Sequence, residues 1–197
     1  IFFFSRLPGL GPKSSKRLVL YLLKNKDTLL NQSLNLMKAV KDELSECLEC
    51  GNIDVKNPCH VCCDSKRNKK KICVVEDISD LWAIEKTKTF KGIYHVLGGV
   101  LSAVDGIGPD DLNIDKLIHR CELNVVEEII LATNATVEGQ LTAQFIADRF
   151  SNSNIFVSRL AHGIPIGGEL DYIDEGTLST AFTVSYTHLR AHETTDN

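Results

Sequence analysis

The chain has 197 residues, is 43% hydrophobic and 24% charged, and carries a net charge of −4. That composition is ordinary for a globular protein with room for one sizeable domain plus small modules. It excludes a helical membrane protein, since no apolar run reaches span length, and a uniformly basic nucleic-acid coat.

The charge is unevenly placed. Residues 1–46 hold eight Lys/Arg against four Asp/Glu, whereas the remainder holds fourteen against twenty-two. A basic start on an acidic body predicts a local contact with a polyanion. The chain opens on Ile1-Phe2-Phe3-Phe4 rather than Met and reads as a fragment whose first helix lacks its start. The apolar opening is too short for a signal sequence.

Leu7-Pro8-Gly9-Leu10-Gly11-Pro12 cannot be helical throughout, so it predicts a tight hairpin with a helix directly after it. Leu18, Tyr21 and Leu22 recur at helical spacing. Residues 27–46 predict a further amphipathic helical region with Leu29, Leu30, Leu34, Met37 and Leu44 as its apolar set. The form is a helix-hairpin-helix spanning 1–46. Gly9 and Gly11 would let a phosphate come close to the backbone, and Lys13 and Arg17, four apart on one helix face, would reach the same DNA backbone. Such contacts are blind to sequence, because phosphates carry no base identity.

Cys47, Cys50, Cys59 and Cys62 follow as two Cys-x2-Cys turns with eight residues between them. The four thiolates suit a tetrahedral Zn2+ site, and four protein ligands leave no open position, so the ion is read as structural. Gly51-Asn52 and Asn57-Pro58 supply the turns. The competing reading, disulfides in a secreted protein, conflicts with the odd cysteine count and the missing signal peptide. Cys63 is read as a spare thiol. The run Lys66-Arg67-Asn68-Lys69-Lys70-Lys71 is either a solvated face or a second polyanion contact.

From residue 70 to 165 strands alternate with helices. Residues 72–75, 92–97, 128–133 and 155–160 read as strands, and 79–86, 115–120 and 138–150 as helices. That order predicts an α/β domain with a mostly parallel sheet. Glu76 closes the first strand at the edge where such sheets bind ligands. The loop after the third strand offers Asn134, Thr136 and Glu138 at the same edge. Two neutral groups among the donors make a poor Mg2+ site. His162 in the following Gly/Pro-rich loop reads as an ordinary surface or core residue. No nucleophile set, no Gly-x-Ser-x-Gly and no P-loop is present, so no catalytic residue is assigned.

Taken in order, these pieces resemble the RecR family of bacterial recombination mediators. The motifs are Leu7-Pro-Gly-Leu-Gly-Pro-Lys-Ser14, the four-cysteine knuckle, Ile72-Cys-Val-Val-Glu76, Tyr94-His-Val-Leu-Gly-Gly99, 102–109, 132–139 and 162–169. The resemblance covers roughly residues 5–182.

It implies that residues 70–165 form a Toprim domain, the module of type IA topoisomerases and primases. Its catalytic members carry a Glu at the first strand end, matched here by Glu76, and a later Asp-x-Asp-x-Glu. The latter stands here as Asn134, Thr136 and Glu138, with both aspartates missing. It also implies a non-enzymatic protein that binds single- and double-stranded DNA and works with RecO, and in some settings RecF. Together they help load RecA onto single-stranded DNA coated with SSB. Family members form homodimer or homotetramer rings through exchanged terminal segments, here 166–182 at the C-terminal end. The location implied is the bacterial cytoplasm, at the nucleoid. Glu76 and Glu138 become candidate partner-protein contacts, because an acidic surface would repel DNA. The residues themselves leave open an alternative, a Mg2+-dependent Toprim nuclease or primase-like enzyme. Two departures from the family stand out. The chain lacks about a helical turn that the family carries upstream, which would weaken the N-terminal dimer contact. Residues 183–197 are polar and aperiodic, and are expected to be a disordered, non-native tail.

Overall fold

The structure, a computed structural model, describes residues 1–123, 125–161, 163–165 and 167–185. The chain divides into two compact units, 1–48 with 53–60, and 49–52 with 61–197.

The first unit holds a 3-10 turn (Phe4–Arg6), helix α1 (Pro12–Lys24), a π-helical turn (Lys26–Leu30), helix α2 (Asn31–Glu43) and two short antiparallel strands, β1 (Ser45–Glu46) and β2 (Ile53–Asp54). Pro12 begins α1 at the position where a missing N–H costs nothing. The hairpin before it is a Leu7–Leu10 turn, with Leu10 N–H donating to the Leu7 carbonyl at 3.1 Å and Gly9 at φ +78°. Pro at the second position and Gly at the third suit that geometry. Two helices are too few to enclose a core. Leu34, Met37 and Leu44, expected in the apolar set of the 27–46 helical region, are exposed, as is Tyr21 on α1, and neither helix buries any residue but Ser15.

Helix α3 (His60–Cys63) starts on the last residue of the first unit, and the second unit continues with β3 (Asn68–Val75), α4 (Ile78–Thr87), β4 (Gly92–Val96), a 3-10 turn (Pro109–Asp111), α5 (Ile114–Leu123), β5 (Glu128–Leu131), α6 (Val137–Arg149), β6 (Phe156–Arg159), a 3-10 turn (Leu170–Tyr172) and α7 (Glu175–Ser185). The four long strands form one sheet in the order β4-β3-β5-β6, every pair parallel. β3 begins four residues before the predicted start and takes in most of the lysine run.

One face of the sheet, with Ile72, Val74, Ile93, Ile129 and Leu131, packs against Leu117 of α5 and Ile146 of α6. The other face, with Cys73, Val75, Tyr94 and Val96, packs against Leu81 of α4. Trp82, read as apolar with Leu81, turns outward and donates its indole N–H to Asn52 Oδ1 at 3.1 Å. α7 continues through Ser185, so residues 183–185 are helical rather than part of a disordered tail. The rest of that tail, 186–197, and His162 lie outside the described residues.

The chain order doubles back between β3 and β5, which makes their C-terminal ends the switch point of the sheet, where open α/β sheets form ligand crevices.

Candidate functional site

Cys47, Cys50, Cys59 and Cys62 are all buried, and their sulfurs lie within 4.8 Å of one another. A Zn–S bond of about 2.3 Å sets tetrahedral sulfurs roughly 3.8 Å apart, so the donor set fits a four-coordinate ion with small side-chain adjustments. The loop between the two knuckles is pinned by Asn57. Its Oδ1 accepts from Leu48 N–H at 3.1 Å and its amide donates to the Glu46 carbonyl at 3.3 Å. Cys59 N–H donates to Cys47 Sγ at 3.3 Å, which ties the two knuckles together. Cys63 is exposed and stands apart from the group. Sequence spacing found these four residues. It did not find Arg120 of α5, which is buried and reaches Cys62 Sγ at 3.6 Å.

At the switch point, Glu76 is buried. Asn134 donates its backbone N–H to Glu76 Oε1 at 2.7 Å and its side-chain amide to Oε2 at 2.6 Å. Thr136 caps α6, accepting from Gly139 N–H at 3.1 Å. Both neutral residues of the loop therefore have structural roles of their own, one latching Glu76 and the other capping α6. Gly139 completes the arrangement. A Cβ there would come within 2.3 Å of the Asn134 carbonyl and 2.6 Å of Glu76 Oε1. Among the described residues, the four cysteines are the one group of three or more His, Cys, Asp or Glu with ligand atoms this close. Glu76 is thus held inside the fold by Asn134, whereas Glu138, in the first turn of α6, is exposed at this edge.

At the N-terminal hairpin, Gly9 and Gly11 face open space, with no atom within 4 Å of a Cβ at either. Gly9 needs to be glycine for its φ, whereas nothing in the packing or backbone of this chain demands it at Gly11. Lys13 and Arg17 are exposed, and neither forms an ion pair among the described residues. The lysine run behaves differently. Arg67 pairs with Glu85 and donates to the Gly92 carbonyl at 3.0 Å, while Lys70 and Lys71 pair with Glu127 and Glu128, each at 2.6 Å. Half of that run is therefore committed to holding β3 against its neighbours.

Residues 70–161 match the family model for a Toprim domain, and residues 163–183 match the model described as RecR, C-terminal. Over 177 residues the chain is 53% identical to the recombination protein RecR of Erythrobacter litoralis, covering 90% of this chain and 89% of that one. The RecR of Parvibaculum lavamentivorans is 54% identical with the same coverage, and that of Bartonella henselae is 54% identical over 90% of this chain and 88% of its own. The chain belongs to the RecR family. As a RecR-family protein it is a recombination protein with a Toprim domain, a four-cysteine cluster and N-terminal helices. No helix among the described residues is long and apolar enough to cross a membrane.

Proposed function

We propose that this chain is a DNA-binding recombination mediator with no chemistry of its own, acting with RecO, and in some settings RecF, to help load RecA onto SSB-coated single-stranded DNA. Membership of the RecR family supplies the setting. The observation that carries the non-enzymatic part is the double hydrogen bond from Asn134 to Glu76, which occupies both oxygens of the carboxylate that a Toprim enzyme would turn to Mg2+.

DNA contact falls to the hairpin. Gly9 and Gly11 leave the turn open, α1 presents the free N–H groups of its first turn, and the exposed Lys13 and Arg17 add positive charge on one face. The four cysteines hold one structural Zn2+, which organises the turns around residues 47–62. Exposed Leu20, Leu23, Leu34, Leu36, Met37 and Val40 on α1 and α2 support assembly with further copies of the chain as a dimer or tetramer, since so much apolar surface on a two-helix unit calls for a partner. RecO is taken at the acidic edge that carries Glu138. Its charge-reversed variant is expected to lose RecO binding while keeping DNA binding, and unchanged RecO affinity would remove that assignment.

The deciding experiment reads mobility shift and cleavage from the same samples of zinc-loaded protein and DNA, with and without RecO and Mg2+. Binding without cleavage, weakened in Lys13→Ala/Arg17→Ala with a shallower salt dependence, is the expected result. Mg2+-dependent cleavage abolished by Glu76→Gln would replace this reading with a Toprim nuclease.

A further inference from the structure

α5 packs Ile114, Leu117, Arg120 and Cys121 inward, so an arginine occupies a position that helical periodicity gives to the core. A buried guanidinium is tolerated only where its charge and donors are met. Nη1 donates to the Tyr94 carbonyl at 2.6 Å. Nη2 faces Cys62 Sγ at 3.6 Å and lies 3.9 Å from Glu49 Oε2, whose side chain is half exposed. The Glu49 contact sits at the outer limit of ion pairing and in reach of water, where such pairs contribute little. Cys62 Sγ is, by contrast, a buried partner.

A neutral thiol is a weak acceptor for such a donor. A metal-bound thiolate is different. Zn2+ with four thiolates keeps a net negative charge that a buried site must offset. Arg120 is placed to do so at one ligand.

The same guanidinium also closes a sheet edge. Among the described residues β4 pairs only with β3, and on its other side Val96 N–H donates to the Cys50 carbonyl at 2.8 Å while the Tyr94 carbonyl accepts from Arg120. An open parallel edge is thereby satisfied by a knuckle carbonyl and by a side chain that also touches a cysteine sulfur.

Resting on the reading of the four cysteines as a Zn2+ site, we propose that Arg120 is an outer-sphere positioning residue of that centre. It orients Cys62 Sγ by a charged N–H···S bond, offsets part of the centre's negative charge, and ties the ligand to the free edge of β4. Partners of this kind typically alter metal affinity by roughly 10- to 100-fold.

The test compares the full-length parent with Arg120→Met, Arg120→Lys and Glu49→Gln. Zinc content of the parent comes first: no bound zinc would end the Zn2+ reading itself, separately from the role of Arg120. With zinc present, transfer to a chromophoric chelator is expected to be at least roughly 10-fold faster in Arg120→Met. In Arg120→Lys, which keeps the charge and loses the fork, the rate falls between that and the parent, while Glu49→Gln stays near the parent. The thiolate-to-metal charge-transfer band of the Co2+-substituted protein is expected to shift in both Arg120 variants, a change that loosened packing elsewhere would not cause. If Arg120→Met fails to fold, Arg120→Lys decides alone. Parental release kinetics and an unshifted cobalt band in a folded Arg120 variant overturn the proposal, as does a Glu49→Gln variant that reproduces the arginine effect.

Discussion

Asn134 meets both oxygens of Glu76, one with its backbone N–H at 2.7 Å and the other with its side-chain amide at 2.6 Å. The bond pair turns what would be half of a two-carboxylate metal site into a latch between the ends of β3 and β5. Asn134→Asp removes one donor and sets a second negative charge beside a buried carboxylate. The expected cost is about 2 kcal/mol of stability, seen in urea unfolding. Millimolar Mg2+ should raise the Tm of this variant and leave that of the parent unmoved. A parent stabilised by Mg2+ to the same degree would contradict the latch.

Gly139→Ala tests the same corner from α6. The added Cβ would press on the Asn134 carbonyl, which is backbone and cannot swing away. Overpacking of this kind costs about 1–3 kcal/mol. An equilibrium unfolding curve that matches the parent would show that the α6 start can move away from Glu76.

His95 of β4 is buried, and its Nε2–H donates to the Asn113 carbonyl at 2.8 Å while Nδ1 has no hydrogen-bond partner among the described residues. Burial, with Arg120 and Lys116 adding repulsion, pushes its pKa down to about 4 from an ordinary 6.5. The unfolded chain therefore binds the proton first as pH falls. The contribution of His95 to stability is full above pH 6.5, is lost as pH drops toward about 4, and changes no further below that. At 1.36 kcal/mol per pH unit the loss is on the order of 3 kcal/mol. His95→Gln keeps a donor for Asn113 and should flatten this stretch of the stability profile. Parallel profiles for variant and parent would rule the assignment out.

Stripping the metal with a strong chelator should release one Zn2+ per chain and lower the Tm sharply, because structural Zn2+ contributes on the order of 10 kcal/mol in zinc-dependent modules. Metal content and circular dichroism on the same sample check this. A fully metal-free protein that melts like the parent would make the four cysteines dispensable to the fold.

Leu34→Asp/Met37→Asp places charge on an exposed apolar stretch of α2. Chain stability should change little, since neither side chain is buried, but sedimentation should shift to a smaller species. Retained assembly would move the contact to another surface.

The sequence by itself determined the local and periodic features. Cys-x2-Cys spacing named the four sulfurs, the Pro-Gly-x-Gly-Pro hairpin placed the start of α1, and alternating apolar segments foretold a parallel sheet. These depend on residues a few positions apart, so spacing suffices. Tertiary structure alone decided what distant side chains do to one another. Glu76 and Asn134 are 58 residues apart, as are Arg120 and Cys62. Nothing in a one-dimensional pattern shows that an asparagine will latch a carboxylate or that a core-facing arginine will meet a cysteine sulfur. The same holds for the lysine run, whose charges look free until β5 brings Glu127 and Glu128 alongside. Strand register set those pairs, and register is fixed by how the apolar faces of the whole sheet bury together.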